Sequence, residues 1–157
     1  KPPERPRSGV RQKNSPQENS RRTQRLLLTW IVDDPALYPK IARYVAAEDF
    51  TEEVYRQVAE RLFRDLEAGR YQPAAIVSMF QDEEEQRQVA EIFNTNLPRL
   101  ETRQEREKAL HDILYAVKKN SYEHLTAGLG ADVTALSRAV AGKKALEELA
   151  KTHISLE

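Results

Sequence analysis

The chain of 157 residues contains no cysteine, and that absence removes disulfides, zinc ribbons and thiol catalysis from consideration in one step. A reducing compartment is allowed by it, though not required. Aromatic residues are few, with one tryptophan and four phenylalanines, and glycine occurs five times. No apolar run approaches the roughly 20 residues that span a bilayer as a helix. No stretch alternates convincingly with a period of two, which argues against sheet. Methionine occurs once, as Met79, and not at the start, so the chain is expected to be a piece of a larger protein whose function lies partly elsewhere. The length suits one domain of ordinary size with an appended subdomain and a tail.

Charge is abundant but balanced, with 25 basic and 25 acidic residues. The balance hides an asymmetry: residues 1–25 hold most of the unopposed Lys and Arg, and the rest of the chain is net acidic. Residues 1–19 carry Pro2, Pro3, Pro6 and Pro16 among Arg, Lys, Ser, Asn and Gln, with Val10 as the lone aliphatic side chain. Such a segment cannot offset its ordering entropy by burial, so a disordered basic linker is expected. A basic arm of this kind can touch phosphates, and a nucleic-acid-binding accessory domain using it is the alternative functional reading.

The stretch from Phe50 to Pro73 predicts the best-marked helix, about 18 residues and roughly 27 Å long. Phe50, Val54, Val58, Ala59, Leu62, Phe63 and Leu66 recur at steps of three and four and define a buried face. Thr51 is the expected N-cap, Gly69 the left-handed stop, and Pro73 a block to continuation. Arg56, Gln57, Glu60, Arg61, Arg64 and Glu67 fill the solvent face, with Glu60 placed to pair with Arg64. This helix is expected to be the pillar on which shorter ones lean.

Ser20 is the expected N-cap of a helix carrying Leu26, Leu27, Leu28, Trp30, Ile31 and Val32, a run apolar enough to be buried on most sides. Asp34 and Pro35 predict the start of a short helix through Leu37, Ile41, Tyr44 and Val45. Pro73 to Phe80 predicts two turns with Ile76, Val77, Met79 and Phe80. Asp82 and Glu85 have capping-box spacing ahead of Val89, Ile92 and Phe93, which explains the acidic run as helix-start chemistry better than as a metal site. Thr102 opens a long helix with Leu110, Ile113, Leu114, Val117 and Leu125 on a narrow seam. Gly128, Gly130 and Asp132 mark a turn, and Val133, Leu136, Val140, Leu146 and Leu149 form a second seam, with Gly142 inward near Val117 on the steps from Leu136 through Ala139 to Gly142, Leu146 and Leu149. The pair predicts an antiparallel helical hairpin. The expected class is all-α: a disordered linker over 1–19, a multi-helix bundle over 20–100, and a C-terminal hairpin over 101–157, with the bundle able to fold without the hairpin.

Chemistry is sparse. His111, His124 and His153 have no second ligand at a recognised metal spacing and are expected to be solvated or partner-facing. Gly128 and Gly130 lack the remaining residues of a phosphate-binding loop. No nucleophile–base pair is identifiable, so no catalytic residue, metal ligand or cofactor is assigned. What remains is recognition by surface. The hairpin exposes Lys118, Lys119, Asn120, Tyr122, Lys143, Lys144, Glu147 and Lys151, although Lys143–Glu147, Lys144–Glu148 and Glu147–Lys151 are also spaced for ion pairs on a face that binds nothing.

The order RRTQRLLLTWIVDDPALYPKI, AAEDFTEEVYRQVAERLF, the Gly69 stop, IVSMF, DEEEQ, then VKKNSYEHL and LEELAKTHISL resembles the C-terminal helicase-binding domain of bacterial DNA primase, the DnaG kind, over about residues 20–156. The resemblance implies a helical bundle similar in fold to the N-terminal domain of the replicative helicase, followed by a terminal hairpin that docks on the helicase hexamer. It implies a non-catalytic domain recruiting primase to the replicative helicase and stimulating that helicase during DNA replication, the bundle stimulating and the hairpin anchoring, in the bacterial cytoplasm, as part of a DNA-directed RNA polymerase. Zinc and magnesium belong, by the same implication, to domains absent from this chain. The eight hairpin residues named above are then the expected helicase contacts.

Overall fold

The computed structural model describes residues 15–128 and 133–156. These form seven α-helices and no strand, so the fold is all-α. The helices are α1 (Pro16–Asp33), α2 (Tyr38–Ile41), α3 (Glu53–Ala68), α4 (Pro73–Val77), α5 (Glu83–Asn94), α6 (Arg103–Ala127) and α7 (Val133–Lys151), with 3₁₀ turns at Pro35–Leu37 and Ala47–Asp49.

The first helix begins five residues earlier than expected. Ser15, not Ser20, is its N-cap: the Ser15 hydroxyl accepts from the Glu18 amide at 3.1 Å, and the Glu18 carboxylate accepts from the Ser15 amide at 3.3 Å. Pro16 takes the first helical position, where its missing N–H costs nothing. Residues 16–19 are therefore helix rather than linker, and the linker expected before Ser15 lies outside the described residues. Arg21 and Arg25, on this helix, meet Glu52 at 3.3 Å and Glu91 at 3.7 Å.

The hub of the fold is α1, not the helix expected to serve as pillar. It touches α3, α5 and α6, and Leu27, Leu28 and Ile31 are fully buried among them. Thr29 adds a buried hydrogen bond from its hydroxyl to the Ile92 carbonyl of α5 at 2.8 Å. The α3 face formed as its spacing predicts, with Val58, Ala59, Leu62 and Phe63 buried and Val54 and Leu66 partly so. Gly69 adopts φ 71° and closes the helix, while the Arg70 amide bonds the Asp65 carbonyl at 2.8 Å. Glu60 pairs with Arg56 at 3.8 Å and not with Arg64, and Arg61 turns to the buried Asp65 at 2.8 Å.

Shorter elements depart from expectation for local reasons. The segment after Asp34 is a 3₁₀ turn followed by one α-turn rather than a single helix. Asp34 makes no side-chain cap, and Pro39 lies inside the stretch. Helix α4 ends at Val77, leaving Met79 exposed and Phe80 buried beyond it. Asp82 caps α5 through the Glu85 amide at 3.1 Å. One buried apolar cluster includes Leu27 and Ile92 of the bundle together with Leu110, Leu114 and Val117 of α6, Leu149 of α7, and Ile154.

Candidate functional site

Helix α6 starts on a full capping box, the Thr102 hydroxyl accepting from the Glu105 amide at 3.0 Å and the Glu105 carboxylate accepting from the Thr102 amide at 3.2 Å. It runs 25 residues and has two jobs. Leu110, Leu114 and Val117 are buried where it meets α1, and it carries α7 as the second helix of the expected hairpin.

The polar run on α6 is bound up with the turn that precedes α3. Asp49 is only 6% exposed. Its carboxylate accepts from Lys118 Nζ at 3.1 and 3.2 Å, from Ser121 Oγ at 2.9 Å and from the Ala46 amide at 2.9 Å. Next to it, the Thr51 hydroxyl accepts from Asn120 Nδ2 at 2.9 Å and Gln24 Nε2 at 3.0 Å. Gln24, fully buried, also accepts from the Glu52 amide at 3.2 Å. Thr51 thus does not cap α3, whose N-cap is Glu52 without a side-chain bond. A buried carboxylate needs partners for its lone pairs, and Lys118 and Ser121 supply them from across the fold.

The inward seam of α7 differs from the predicted one. Ala139 and Leu149 are buried, and Ala135, Gly142 and Leu146 are half-buried, at spacings of four and three. Val133, Leu136 and Val140 are instead 79%, 59% and 65% exposed. At 3.6 residues per turn the two rows lie roughly 130° apart around the helix. Ala135, Ala139 and Gly142 let the α6 and α7 backbones approach near the turn, Leu146 and Leu149 fill the seam beyond them, and Val133, Leu136 and Val140 are left facing outward. Gly142 is inward as expected, but its neighbour is Tyr122, not Val117: a Cβ there would lie 3.1 Å from Tyr122 Cδ1.

Of the residues expected to be contacts, Lys118 and Asn120 are therefore engaged with Asp49 and Thr51, and half-buried Tyr122 lies over Gly142. Lys119, Lys143, Lys144, Glu147 and Lys151 are exposed. Lys143, Glu147 and Lys151 continue the outward row begun by Val133, Leu136 and Val140, so one face of α7 is apolar near the turn and charged towards its end. The turn residues Gly130 and Asp132 lie outside the described residues. The outward aliphatics were missed because large apolar residues were assigned to the seam. Of the expected inward steps from Leu136 through Ala139 to Gly142, Leu146 and Leu149, the last four do face inward, and Ala135 stands where Leu136 was expected.

Two histidines bond across the hairpin's base, His111 half-buried and His153 still exposed to solvent as expected. His111 Nε2 donates to the Leu149 carbonyl at 2.8 Å. His153 Nε2 lies 3.1 Å from Glu107, a carboxylate on α6 that is 5% exposed and also accepts from the Leu156 amide at 2.7 Å. Ile154 is buried between these bonds. His124 is exposed.

Among the described residues no three His, Cys, Asp or Glu side chains come together in a way that would hold a metal ion. Among the same residues no helix is long and apolar enough to cross a membrane. Comparison of the chain with protein-family models, with curated proteins and with solved structures finds no match.

Proposed function

We propose that this chain is the non-catalytic helicase-binding domain of a bacterial DNA primase, and that α7 carries its contact with the hexameric replicative helicase. The reading rests on the order of sequence segments described above, and one structural observation supports it: the outward row of Val133, Leu136 and Val140. An exposed aliphatic row rimmed by charge is the form of a helix that lays one face into a partner's groove. Among the described residues Met79 is the other large apolar side chain so exposed, and it lies on its own beyond α4. Lys143 and Lys144 flank the row and would steer encounter more than hold the complex. In this role the domain tethers primer synthesis to the unwinding fork and performs no reaction itself.

Gel filtration of the chain with and without the hexameric helicase tests the reading. The wild-type chain co-elutes with the hexamer. Leu136→Asp with Val140→Asp weakens binding tenfold or more, about 1.4 kcal/mol, while the circular dichroism spectrum is unchanged because both side chains are exposed. Co-elution of this variant at full strength would place the contact elsewhere, and absence of co-elution by the wild type would end the helicase reading.

A further inference from the structure

The C-terminal end of α3 carries a cationic depression that the hairpin does not explain. Arg61, Arg64, Arg70, Tyr71 and Gln72 line it around Gly69, with a volume of about 670 Å³. Its one acidic lining residue is Asp65, which is buried and paired with Arg61 at 2.8 Å. Arg64 and Arg70 have no carboxylate partner among the described residues. The carbonyls that end α3 would ordinarily repel an anion, but the Gly69 and Arg70 amides close on Leu66 and Asp65 at 3.2 and 2.8 Å. The depression is thus locally positive on a domain that is acidic once the N-terminal arm is set aside.

We propose that this Arg61–Arg64–Arg70 depression binds the phosphate backbone of single-stranded nucleic acid. From Arg61 to Gly69 the helix advances roughly 12 Å, so the arginines that line the depression are attached along about two turns of backbone. Several planar, permanently charged forks spread in this way suit successive phosphates. Half-buried Tyr71 adds an aromatic wall of the sort that accommodates unpaired bases, whereas a duplex keeps its bases stacked inside. No hairpin residue takes part, so the inference stands whether or not α7 binds a helicase.

The test uses the full chain and a fluorescent thymidine oligomer of about 16 nucleotides, titrated from about 50 to 200 mM salt. Arg64→Glu with Arg70→Glu is compared with an arm variant, Arg5→Glu, Arg7→Glu and Arg11→Glu. We expect the wild type to bind at low salt and the Arg64/Arg70 variant to lose about tenfold or more. Its slope of log K against log salt falls by about 1.4, at about 0.7 per lost phosphate contact. Arg64→Lys with Arg70→Lys retains most of the affinity, and circular dichroism is the same throughout. Wild-type-like binding by the Arg64/Arg70 glutamate variant overturns the proposal and hands the strand to the arm. So does absence of binding by the wild type. Equal affinity for a duplex of the same length overturns the single-strand assignment. Strong competition by inorganic phosphate at matched ionic strength shows a free-anion site in its place.

Discussion

The contact between Gly142 and Tyr122 is where the hairpin's packing is most sharply constrained. Gly142 lies within α7, where alanine would favour the helix by about 1 kcal/mol over glycine. The Cβ it would add sits 3.1 Å from Tyr122 Cδ1, closer than the roughly 3.5–4.0 Å at which carbon pairs are most comfortable. Tyr122 is half-buried and can give by a few tenths of an ångström, so the two effects nearly cancel and Gly142→Ala leaves stability within about 1 kcal/mol of wild type. Leucine cannot be accommodated by so small a movement, and Gly142→Leu costs about 1–3 kcal/mol. The decisive measurement is a double-mutant cycle by urea unfolding, followed by circular dichroism. With Tyr122→Ala in the background the obstacle is gone, so Gly142→Ala stabilises by about 1 kcal/mol and Gly142→Leu loses most of its penalty. A coupling energy of about 1 kcal/mol or more is expected. Equal effects of Gly142→Leu in both backgrounds would refute the contact and leave Gly142 facing solvent.

Other perturbations probe the remaining joints. Asp49→Ala leaves Lys118, Ser121 and the Ala46 amide without their acceptor, and since Lys118 is partly solvated the loss is about 1–3 kcal/mol by denaturant melt; Lys118→Met in the Asp49→Ala background costs little more. Burial, then the hydrogen bond to Glu67 at 2.8 Å and that carboxylate's charge, raises the Tyr38 phenol to about 12. Because the folded value lies above the ordinary 10.0, the stabilisation is complete below pH 10.0 and disappears as pH rises towards about 12. Melting temperature therefore falls over that window, and Tyr38→Phe falls less. Removing residues 102–157 strips Leu110, Leu114 and Val117 from the shared core. Amide exchange of the remaining bundle is expected to show loss of protection along α1, where native-like protection would indicate a bundle that folds without α6.

Local chemistry in the sequence determined the class and several helix ends. Asp82, Thr102, Gly69 and Pro73 act through groups within a few residues of themselves, so their roles needed no knowledge of the rest of the chain. The same holds for the α3 face, because a period of 3.6 is a property of one helix. Ser15, Pro16 and Glu18 were equally local, yet the proline-rich composition around them hid a complete capping box.

Only the tertiary structure decided which partners the polar residues take and which way α7 faces. Thr51 is the right residue type for a cap, but α3 starts one residue later on Glu52, and Gln24 and Asn120, distant in sequence, bond the Thr51 hydroxyl. Lys118 and Glu107 look like surface charges on a helix until the fold sets Asp49, His153 and the Leu156 amide against them. On α7 a row of large aliphatics and a row of small residues have the same spacing, so periodicity permits either to face inward. Close approach to Tyr122 and α6 selects the small row, and it is this selection that sets Val133, Leu136 and Val140 in solvent.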